Sequence, residues 1–315
     1  MAHKQALICG SMAYDTIMVF EDRFKNHILA DKVHMLSVAF YVPTLRREFG
    51  GCAGNISYNL KLLGGYPVPF GAVGRDFEPY RAHFDALGID LRCVRELPDH
   101  YTAQAYITTD LDDNQITAFH PGAMSFSHEN RVGDAQGVKL GIVAPDGRDG
   151  MLTHAQQFAD AGIPFVFDPG QGMPMFNGDD LLHFLELATW CTVNDYEARM
   201  LCDRTGLSEA QIAERVDALI VTRGGEGSRV YHGGSVTEVA CVPADELLDP
   251  TGCGDAYRGG LLYGLSRGAD VVSSARLASV MGAIKIASRG GQNHAPTRTE
   301  IERRFRATFG SALDF

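Results

Sequence analysis

Segments with the pattern of buried β-strands alternate with amphipathic, helix-like segments along most of this 315-residue chain. The strand-like segments are QALICGS, PVPFGAVG, VKLGIVAP, IPFVFDPG, WCTVN and ALIVTRGGEG. The helix-like segments among them are GNISYNLKLLGG, FEPYRAHFDALGI, MLTHAQQFADAG, DDLLHFLELA and DYEARMLCD. Strands that alternate with helices form parallel βαβ units. The sequence therefore predicts a layered α/β domain around a mainly parallel sheet.

Two stretches, residues 16–49 and 101–120, interrupt this alternation. The first contains β-prone runs such as VHMLSVAFYV, and the second alternates in polarity around the letters DDNQ, which predicts a β-hairpin. We expect the two stretches to form a small β-sheet that acts as a lid over a site. An additional antiparallel edge of the main sheet is the alternative. Residues 1–15, 50–100 and 121–315 then form the large domain.

Composition and charge argue against several classes of partner. The net charge is −11 and the sequence has no basic cluster, so binding to nucleic acid is not expected. No apolar run reaches the roughly 20 residues that span a bilayer, and the N-terminal stretch lacks the pattern of a signal peptide. The seven scattered cysteines have no zinc-ligand spacing and fit reduced thiols. We therefore expect a cytoplasmic protein without a membrane partner.

The stretch DPTGCGDAYRGG places two glycines and a carboxylate where a helix is predicted to begin. Backbone N–H groups at a helix N-terminus bind anions, and Gly252, Cys253 and Gly254 supply such groups. Asp255 follows in the first turn, where a carboxylate suits a base that takes a proton from a hydroxyl attacking a phosphate. On spacing alone, a structural turn with Asp255 as a capping residue is an equal alternative.

This stretch resembles the second signature of the ribokinase-like (PfkB) carbohydrate and nucleoside kinases, Asp-Thr-x-Gly-x-Gly-Asp. The segment GGCAGN, residues 50–55, resembles the first signature, and the two occur in the family's order. The resemblance extends over essentially the whole chain. It implies a ribokinase-like three-layer α/β/α domain with a mainly parallel central sheet and a small β-sheet lid. It also implies ATP-dependent phosphoryl transfer, with Asp255 as the catalytic base and the amides of residues 252–254 around the phosphoryl group.

The resemblance assigns residues to an acceptor site as well. In the family an aspartate shortly after the first strand holds sugar hydroxyls, and GSMAYD offers Asp15, since a carboxylate accepts hydrogen bonds from two neighbouring hydroxyls. Gly50 and Gly51 would let the backbone approach the sugar, and Asn55 would fix that loop or reach a hydroxyl. Asp168 follows a predicted strand, at the edge where ligands gather in open α/β sheets, and we expect a supporting role for it.

Two further segments resemble the nucleotide and metal sites of the family. TVNDYEARML matches an Asn-x-x-Glu element, in which Asn194 and Glu197 would organise Mg²⁺ and its water shell; a helix-capping box is the alternative. VTRGGEGS resembles a turn near the nucleotide. The residues thus assigned to ATP binding are Asn194, Thr222, Arg223, Gly224 and Gly227. A solvated Arg223 is an equal alternative to a phosphate contact.

A monovalent cation is a further predicted ligand. Asp249 and Thr251, with carbonyls near SRGGQN, match the place where many members of the family hold such an ion. K⁺ is therefore a candidate beside Mg²⁺ and the co-substrate ATP. The alternative is that these oxygen-rich loops are structural turns.

The choice of acceptor rests on the aromatic character of the predicted lid. Its aromatic residues are Phe40, Tyr41, Tyr106 and Phe119. These rings would stack on a purine and Gln104 would hydrogen-bond a base or sugar; packing among the rings themselves is the alternative. ITTDLDDNQITAFHPGAM also looks like bacterial members described as adenosine kinases.

The predicted reaction is transfer of the γ-phosphoryl group of ATP to the 5′-hydroxyl of a nucleoside. Adenosine is the preferred acceptor among the nucleosides. A simple sugar, as in ribokinase or fructokinase, is the alternative acceptor, and a non-catalytic ligand sensor on the same fold is the third hypothesis. Lid strands pair across a homodimer in some members of the family, so a homodimer through the lid is one expected assembly.

Overall fold

The computed structural model describes residues 5–28, 37–112 and 114–315. Its β-strands are β1 (Gln5–Cys9), β2 (Ala13–Val19), β3 (Thr44–Gly50), β4 (Pro67–Gly74), β5 (Val94–Leu97), β6 (Ala103–Thr109), β7 (Gln115–His120), β8 (Val138–Val143), β9 (Phe165–Phe167), β10 (Trp190–Asn194), β11 (Ala218–Thr222), β12 (Ser228–His232) and β13 (Ser235–Val239). Its α-helices are α1 (Cys52–Leu62), α2 (Glu78–Leu87), α3 (Arg148–Asp160), α4 (Gly178–Leu187), α5 (Asp195–Thr205), α6 (Glu209–Ala213), α7 (Cys253–Arg267), α8 (Val271–Ile286) and α9 (Arg298–Phe309). None of the helices in these ranges has both the length and the apolar character that crossing a membrane requires.

One large sheet forms the centre of the molecule. Over the described residues its strand order is β13-β12-β11-β10-β9-β8-β1-β4-β5. The strands from β11 to β5 in this order run parallel, and β12 and β13 add an antiparallel hairpin at one edge. Because the carboxyl ends of parallel strands meet at one edge of a sheet, the segments that follow β1, β8, β9, β10 and β11 come together there.

Helices cover both faces of this sheet. Ala6 and Ile8 of β1 pack in one hydrophobic cluster with residues of α1, α2, α7, α8 and α9. Leu7 and Cys9, which point the opposite way in the same strand, pack with residues of α3, α4, α5 and α6. The three-layer α/β/α domain with a mainly parallel central sheet is therefore confirmed.

Helix α7 packs between α1 and α8, and its glycines let both neighbours approach closely. A Cβ atom on Gly259 would lie 2.6 Å from Asn59 Cβ of α1, and one on Gly260 would lie 2.7 Å from Ala278 Cα of α8. Glycine costs a helix interior about 1 kcal/mol relative to alanine, so this packing has to offset the loss. The same packing positions the N-terminal turn of α7 near the end of β1.

A second, separate sheet has the strand order β3-β2-β6-β7 over the described residues, and we call it the small sheet. β6 and β7 form the expected antiparallel hairpin, whereas β2 and β6 pair in parallel. The alternative of an extra edge on the main sheet is therefore wrong. Of the β-prone run, residues 33–36 lie outside the described residues and residues 37–42 form no strand. The strand that pairs with β2 on its other side is Thr44–Gly50.

Candidate active site

A cleft of about 550 Å³ lies between the small sheet and the carboxyl edge of the central sheet. Residues of β2, β6 and β7 line it on one side, and the segments after β1 and β8 and the starts of α1 and α7 line it on the other. Of the residues predicted from the sequence, the cleft brings together Asp15, Gly51, Asn55, Phe119, Thr251, Gly252 and Asp255. Both signature segments therefore contribute to one site.

The chain enters α7 through a tight turn. The N–H of Cys253 donates to the carbonyl of Pro250 at 3.1 Å, and Gly252 adopts φ 76° and ψ 4°. These are the angles of the third residue in a type II turn, where glycine is favoured. The N–H of Cys253 is thus occupied by its own turn, contrary to the expectation that it faces an anion. The amides of Gly252 and Gly254 remain candidates for that role.

Asp255 lies in the first turn of α7 and lines the cleft. Its Oδ2 accepts a hydrogen bond of 2.8 Å from Nδ2 of Asn55 in α1. The pKa of Asp255 is raised to about 6, mainly by burial. The hydrogen bond from Asn55 opposes this shift, and the charge of Asp168 adds to it. The capping residue of α7 is Gly252, so the alternative of a capping Asp255 is wrong. A carboxylate with this pKa is suited to accept a proton near neutral pH.

Arg258, one turn after Asp255 in α7, forms a buried ion pair with Asp168. Its Nε and one terminal nitrogen donate to the two carboxylate oxygens of Asp168 at 2.9 and 2.8 Å. The side chains are only 6% and 3% exposed. The guanidinium also lies 4.0 Å from a carboxylate oxygen of Glu197. Asp168 thus supports the site by holding Arg258, a residue that sequence reasoning missed although its spacing from Asp255 puts both on one helix face.

A chain of hydrogen bonds fixes the orientation of Asn55. Its Oδ1 accepts from Nε2 of Gln292 at 3.0 Å, and the same amide nitrogen donates to the hydroxyl of Tyr80 at 2.6 Å. That hydroxyl in turn donates to the carbonyl of Gly50 at 2.9 Å. Because the oxygen of Asn55 is held in this way, its nitrogen is directed at Asp255. Sequence reasoning missed Tyr80 and Gln292, since neither lies in a signature segment.

Asp15 faces the same cleft from β2. The pKa of Asp15 is raised to about 6, mainly by burial, and the charges of Glu48 and Asp249 contribute to this shift. Gly50, at the end of β3, lies so close that a Cβ atom there would be 2.5 Å from Oδ2 of Asp15. Phe119 of β7 belongs to the same cross-strand row as Asp15. The geometry thus places a carboxylate, a glycine and an aromatic ring together.

The start of α1 is held by Ser11, which follows β1. The carbonyl of Ser11 accepts from the N–H of Ala53 at 2.9 Å, and its Oγ accepts from the N–H of Cys52 at 3.1 Å. Gly51 precedes the helix with φ 84°, and a Cβ atom there would lie 2.6 Å from the carbonyl oxygen of Ser11. Glycine is therefore needed for α1 to start this close to the end of β1.

Gln104 does not reach the cleft. Ala105 and Ile107 of β6 line it, and neighbours in a strand point to opposite faces. Gln104 and Tyr106 therefore face the other side of the small sheet, where Nε2 of Gln104 donates to a carboxylate oxygen of Asp76 at 3.0 Å. The structure does not bring Gln104 to the predicted acceptor site.

The remaining aromatic residues of the predicted lid differ in their surroundings. Phe40 packs against Phe20 and Phe24, with ring centroids 4.8 and 5.1 Å apart. Tyr41 is 83% exposed. Only Phe119 among the four predicted rings lines the described cleft, so packing rather than stacking explains Phe40.

Asn194 and Glu197 form a capping box at the start of α5. Oδ1 of Asn194 accepts from the N–H of Glu197 at 2.8 Å, and Oε2 of Glu197 accepts from the N–H of Asn194 at 2.8 Å. Burial raises the pKa of Glu197, and Arg258 opposes this shift. Within the described ranges, no group of three or more His, Cys, Asp or Glu side chains could hold a metal ion. One partly buried carboxylate nevertheless fits Mg²⁺, which keeps several waters and binds phosphate oxygens.

The predicted nucleotide segment begins at the carboxyl end of β11. Thr222 lies beside Asn194 in the sheet register, so the two segments meet at the same edge. A Cβ atom on Gly224 would have no neighbour within 4 Å, whereas one on Gly227 would contact the carbonyl of Val239. The backbone at Gly224 is thus open to a ligand, and Gly227 serves the start of the next strand.

Arg223 is engaged with acidic residues. Its guanidinium forms ion pairs with Glu238 and, at 3.5 Å, with Glu226. A phosphate contact would require Arg223 to leave both carboxylates, so its surroundings favour the alternative of a surface residue.

The place predicted for K⁺ already contains a protein cation. Nζ of Lys285 donates to the carbonyl oxygens of Asp249 at 2.8 Å and Ser288 at 2.9 Å. The carboxylate of Asp249 accepts from the N–H groups of Thr251 and Gly290 at 2.9 and 2.8 Å. These oxygens are committed to donors within the chain, so the residues present do not fit a bound K⁺.

Known proteins match both the sequence and the fold of this chain. A family described as pfkB family carbohydrate kinase matches residues 12–298. The chain belongs to this family of carbohydrate kinases. The solved nucleoside kinase of Burkholderia thailandensis in complex with inosine is 55% identical, with a TM-score of 0.88 and coverage of 98% of this chain and 99% of that chain. Its complex with ADP-inosine is 57% identical, with a TM-score of 0.86 and coverage of 98% and 97%.

A more distant relative has the same architecture. The nucleoside kinase of Methanocaldococcus jannaschii is 28% identical over 270 residues, which cover 85% of this chain and 89% of that protein. Its crystal structure superposes with a TM-score of 0.88 over 98% of this chain and 100% of that chain.

Proposed function

We propose that this protein transfers the γ-phosphoryl group of ATP to the 5′-hydroxyl of a nucleoside. The observation that carries the proposal is one cleft lined by two carboxylates of raised pKa, Asp255 at a glycine-rich helix start and Asp15 on the small sheet. The Burkholderia kinase, 55% identical, is solved with inosine bound. That likeness supports a nucleoside rather than a free sugar as acceptor.

In the proposed reaction Asp15 accepts hydrogen bonds from two ribose hydroxyls, and Gly50 leaves room beside it. Phe119 offers an apolar face to the base. Asp255 takes the proton of the 5′-hydroxyl as that oxygen attacks the γ-phosphorus. The new P–O bond forms while the bond to the leaving ADP breaks, so the products are ADP and a nucleoside 5′-monophosphate.

Charge on the migrating group is stabilised by the start of α7 in this proposal. The amides of Gly252 and Gly254 face the phosphoryl oxygens, aided by the helix dipole. Thr222 and Gly224 flank the nucleotide. Mg²⁺ would neutralise part of the phosphate charge when bound, and Asn194 and Glu197 would hold its water shell.

The small sheet acts as a lid in the same proposal; its strands are Ala13–Val19, Thr44–Gly50, Ala103–Thr109 and Gln115–His120. Its strands already line the cleft, and closure over the substrates excludes water and limits hydrolysis of ATP. Away from the cleft the sheet exposes Leu45, Tyr106 and Ile116, at 61%, 43% and 44%. We propose this apolar surface as the contact of a homodimer.

Among nucleosides we propose adenosine as the first acceptor, because the hairpin of this chain resembles that of bacterial adenosine kinases. Inosine is the second. Release of ADP from Mg-ATP, measured with adenosine, inosine, ribose and fructose, is expected to give the highest kcat/KM with adenosine. Both nucleosides should exceed ribose and fructose, because Asp15 recognises the ribose while the aromatic face adds binding energy only when a base is present.

Three results would change this assignment. A response to inosine that exceeds the response to adenosine would keep the kinase and change its preferred base. A response to ribose or fructose without any to nucleosides would indicate a sugar kinase. No acceptor-dependent ADP with any of the four compounds would favour a ligand sensor, and ATP alone serves as the background control.

The acid side of the pH profile should report Asp255. A base must be ionised, and the pKa of Asp255 is raised to about 6, so kcat should rise with pH through about 6 and level off above it. Asn55→Ala removes a hydrogen bond that lowers this pKa, so the rise should move to higher pH. Asp15 has a similar pKa but acts in binding, so its protonation should appear in KM. A kcat that stays constant between about pH 5 and pH 8 would contradict the assignment of Asp255 as the base.

A further inference from the structure

Lys285, in the last turn of α8, has its whole side chain inside the protein. Its exposed fraction is 0%, and its ammonium group donates to the carbonyl oxygens of Asp249 at 2.8 Å and Ser288 at 2.9 Å. Asp249 precedes the turn into α7, whereas Ser288 follows α8. One buried cation therefore connects the two segments that flank the start of α7.

The stem of Lys285 supports the same turn. A Cβ atom on Gly252 would lie 3.8 Å from Cε of Lys285, so the side chain passes beneath the residue that opens α7. The N–H groups of Leu248 and Asp249 both donate to the carbonyl of Ile286, at 2.9 and 3.1 Å. The approach to α7 is thus attached to the end of α8 by main-chain bonds as well as by the lysine.

Two carbonyl oxygens face the ammonium group of Lys285. Burial is the largest influence on the pKa of Lys285 and lowers it, while the charges of Cys253, Asp249 and Asp255 oppose that shift. Carbonyl oxygens are ligands for a bound monovalent ion, and an ammonium group is close to K⁺ in size and charge. The two therefore compete for the same oxygens.

We propose that the ammonium group of Lys285 is a built-in substitute for a dissociable monovalent cation, and that it positions residues 249–252 for phosphoryl transfer. Lys285 is a positioning residue here, since it contacts the turn rather than the substrate. The inference rests on the proposed kinase function for its activity readout. It predicts that the wild-type enzyme needs no added K⁺, because the lysine already occupies the place.

The test compares Lys285→Ala and Lys285→Met with the wild-type enzyme in tetramethylammonium chloride, KCl and NH₄Cl at one ionic strength. Wild-type kcat should be the same in all three salts. Lys285→Ala should lose about tenfold to a hundredfold in kcat in tetramethylammonium, as expected of a misplaced catalytic element, and should regain most of it in KCl or NH₄Cl. Lys285→Met fills the space with an apolar chain and should lose activity without being rescued.

The matched control is Lys61→Met. Lys61 also donates to a main-chain carbonyl, that of Gly88 at 2.8 Å, but it lies at the end of α1 away from the cleft. This variant should keep wild-type kcat and show no response to K⁺.

A second readout does not depend on activity. The melting temperature of Lys285→Ala should rise in KCl relative to tetramethylammonium chloride, and that of the wild-type protein should not. If the wild-type chain phosphorylates no acceptor, the kinase proposal fails while this measurement still tests the lysine. Activation of the wild-type enzyme by K⁺, or a folded Lys285→Ala with normal kcat or with a loss that no cation restores, would overturn the inference.

Discussion

Asp255→Asn is expected to lower kcat by about 10²–10⁴-fold and to leave the dissociation constants of ATP and nucleoside nearly unchanged. The amide has almost the shape of the carboxylate, and its oxygen can still accept the hydrogen bond that Asn55 donates at 2.8 Å. It cannot take a proton from the attacking hydroxyl. ADP release in the presence of acceptor gives kcat, and calorimetry gives the dissociation constants.

Asp149→Asn is the matched control for this experiment. Asp149 also lies in the first turn of a helix, α3, but its side chain is 73% exposed. This variant should keep wild-type kcat. An Asp255→Asn enzyme whose kcat stays within about tenfold of wild type would show that another group accepts the proton.

Asp168→Ala is expected to lower the free energy of unfolding by about 3–5 kcal/mol, the usual result of removing one partner of a buried ion pair. The variant leaves the guanidinium of Arg258 buried, with Glu197 4.0 Å away as a remaining partner. Activity should fall as well, since Arg258 lies one turn from Asp255. Urea denaturation measures the stability change.

Two variants define how specific that effect is. Glu302→Ala breaks the exposed pair of Arg298 and Glu302, 2.7 Å apart, and should cost less than about 1 kcal/mol. The double variant Asp168→Leu with Arg258→Met removes both buried charges and should recover part of the lost stability. If Asp168→Ala costs no more than Glu302→Ala, the buried pair does not stabilise the fold.

The fold was predictable where its strands are buried on both faces. β4 and β8 are almost wholly buried and therefore appear in the sequence as continuous apolar runs. β5 and β13, at the two edges of the sheet, were missed, because most of their residues are at least partly exposed. Strands at an edge of a sheet lack the apolar signal on one face.

The site was predictable where function dictates an unusual local pattern. The two glycine signatures pointed to Asn55 and Asp255, which lie 200 positions apart in the sequence and are bonded in the structure. Arg258, Gln292 and Lys285 were missed, because an arginine, a glutamine or a lysine in or after a helix is common and carries no pattern of its own.

The sequence by itself determined the α/β layering, the helix-opening turn at Gly252 and the identity of the carboxylates, because apolar periodicity and turn chemistry are properties of short segments. Only the tertiary structure decided which polar groups meet. Gln104 faces away from the cleft because neighbouring residues of β6 point to opposite faces of the sheet. The N–H of Cys253 is used in the hydrogen bond that closes its own turn. Lys285 reaches the carbonyls beside α7 because α8 packs against that helix. Such contacts join segments distant in the chain, so they depend on how the layers pack.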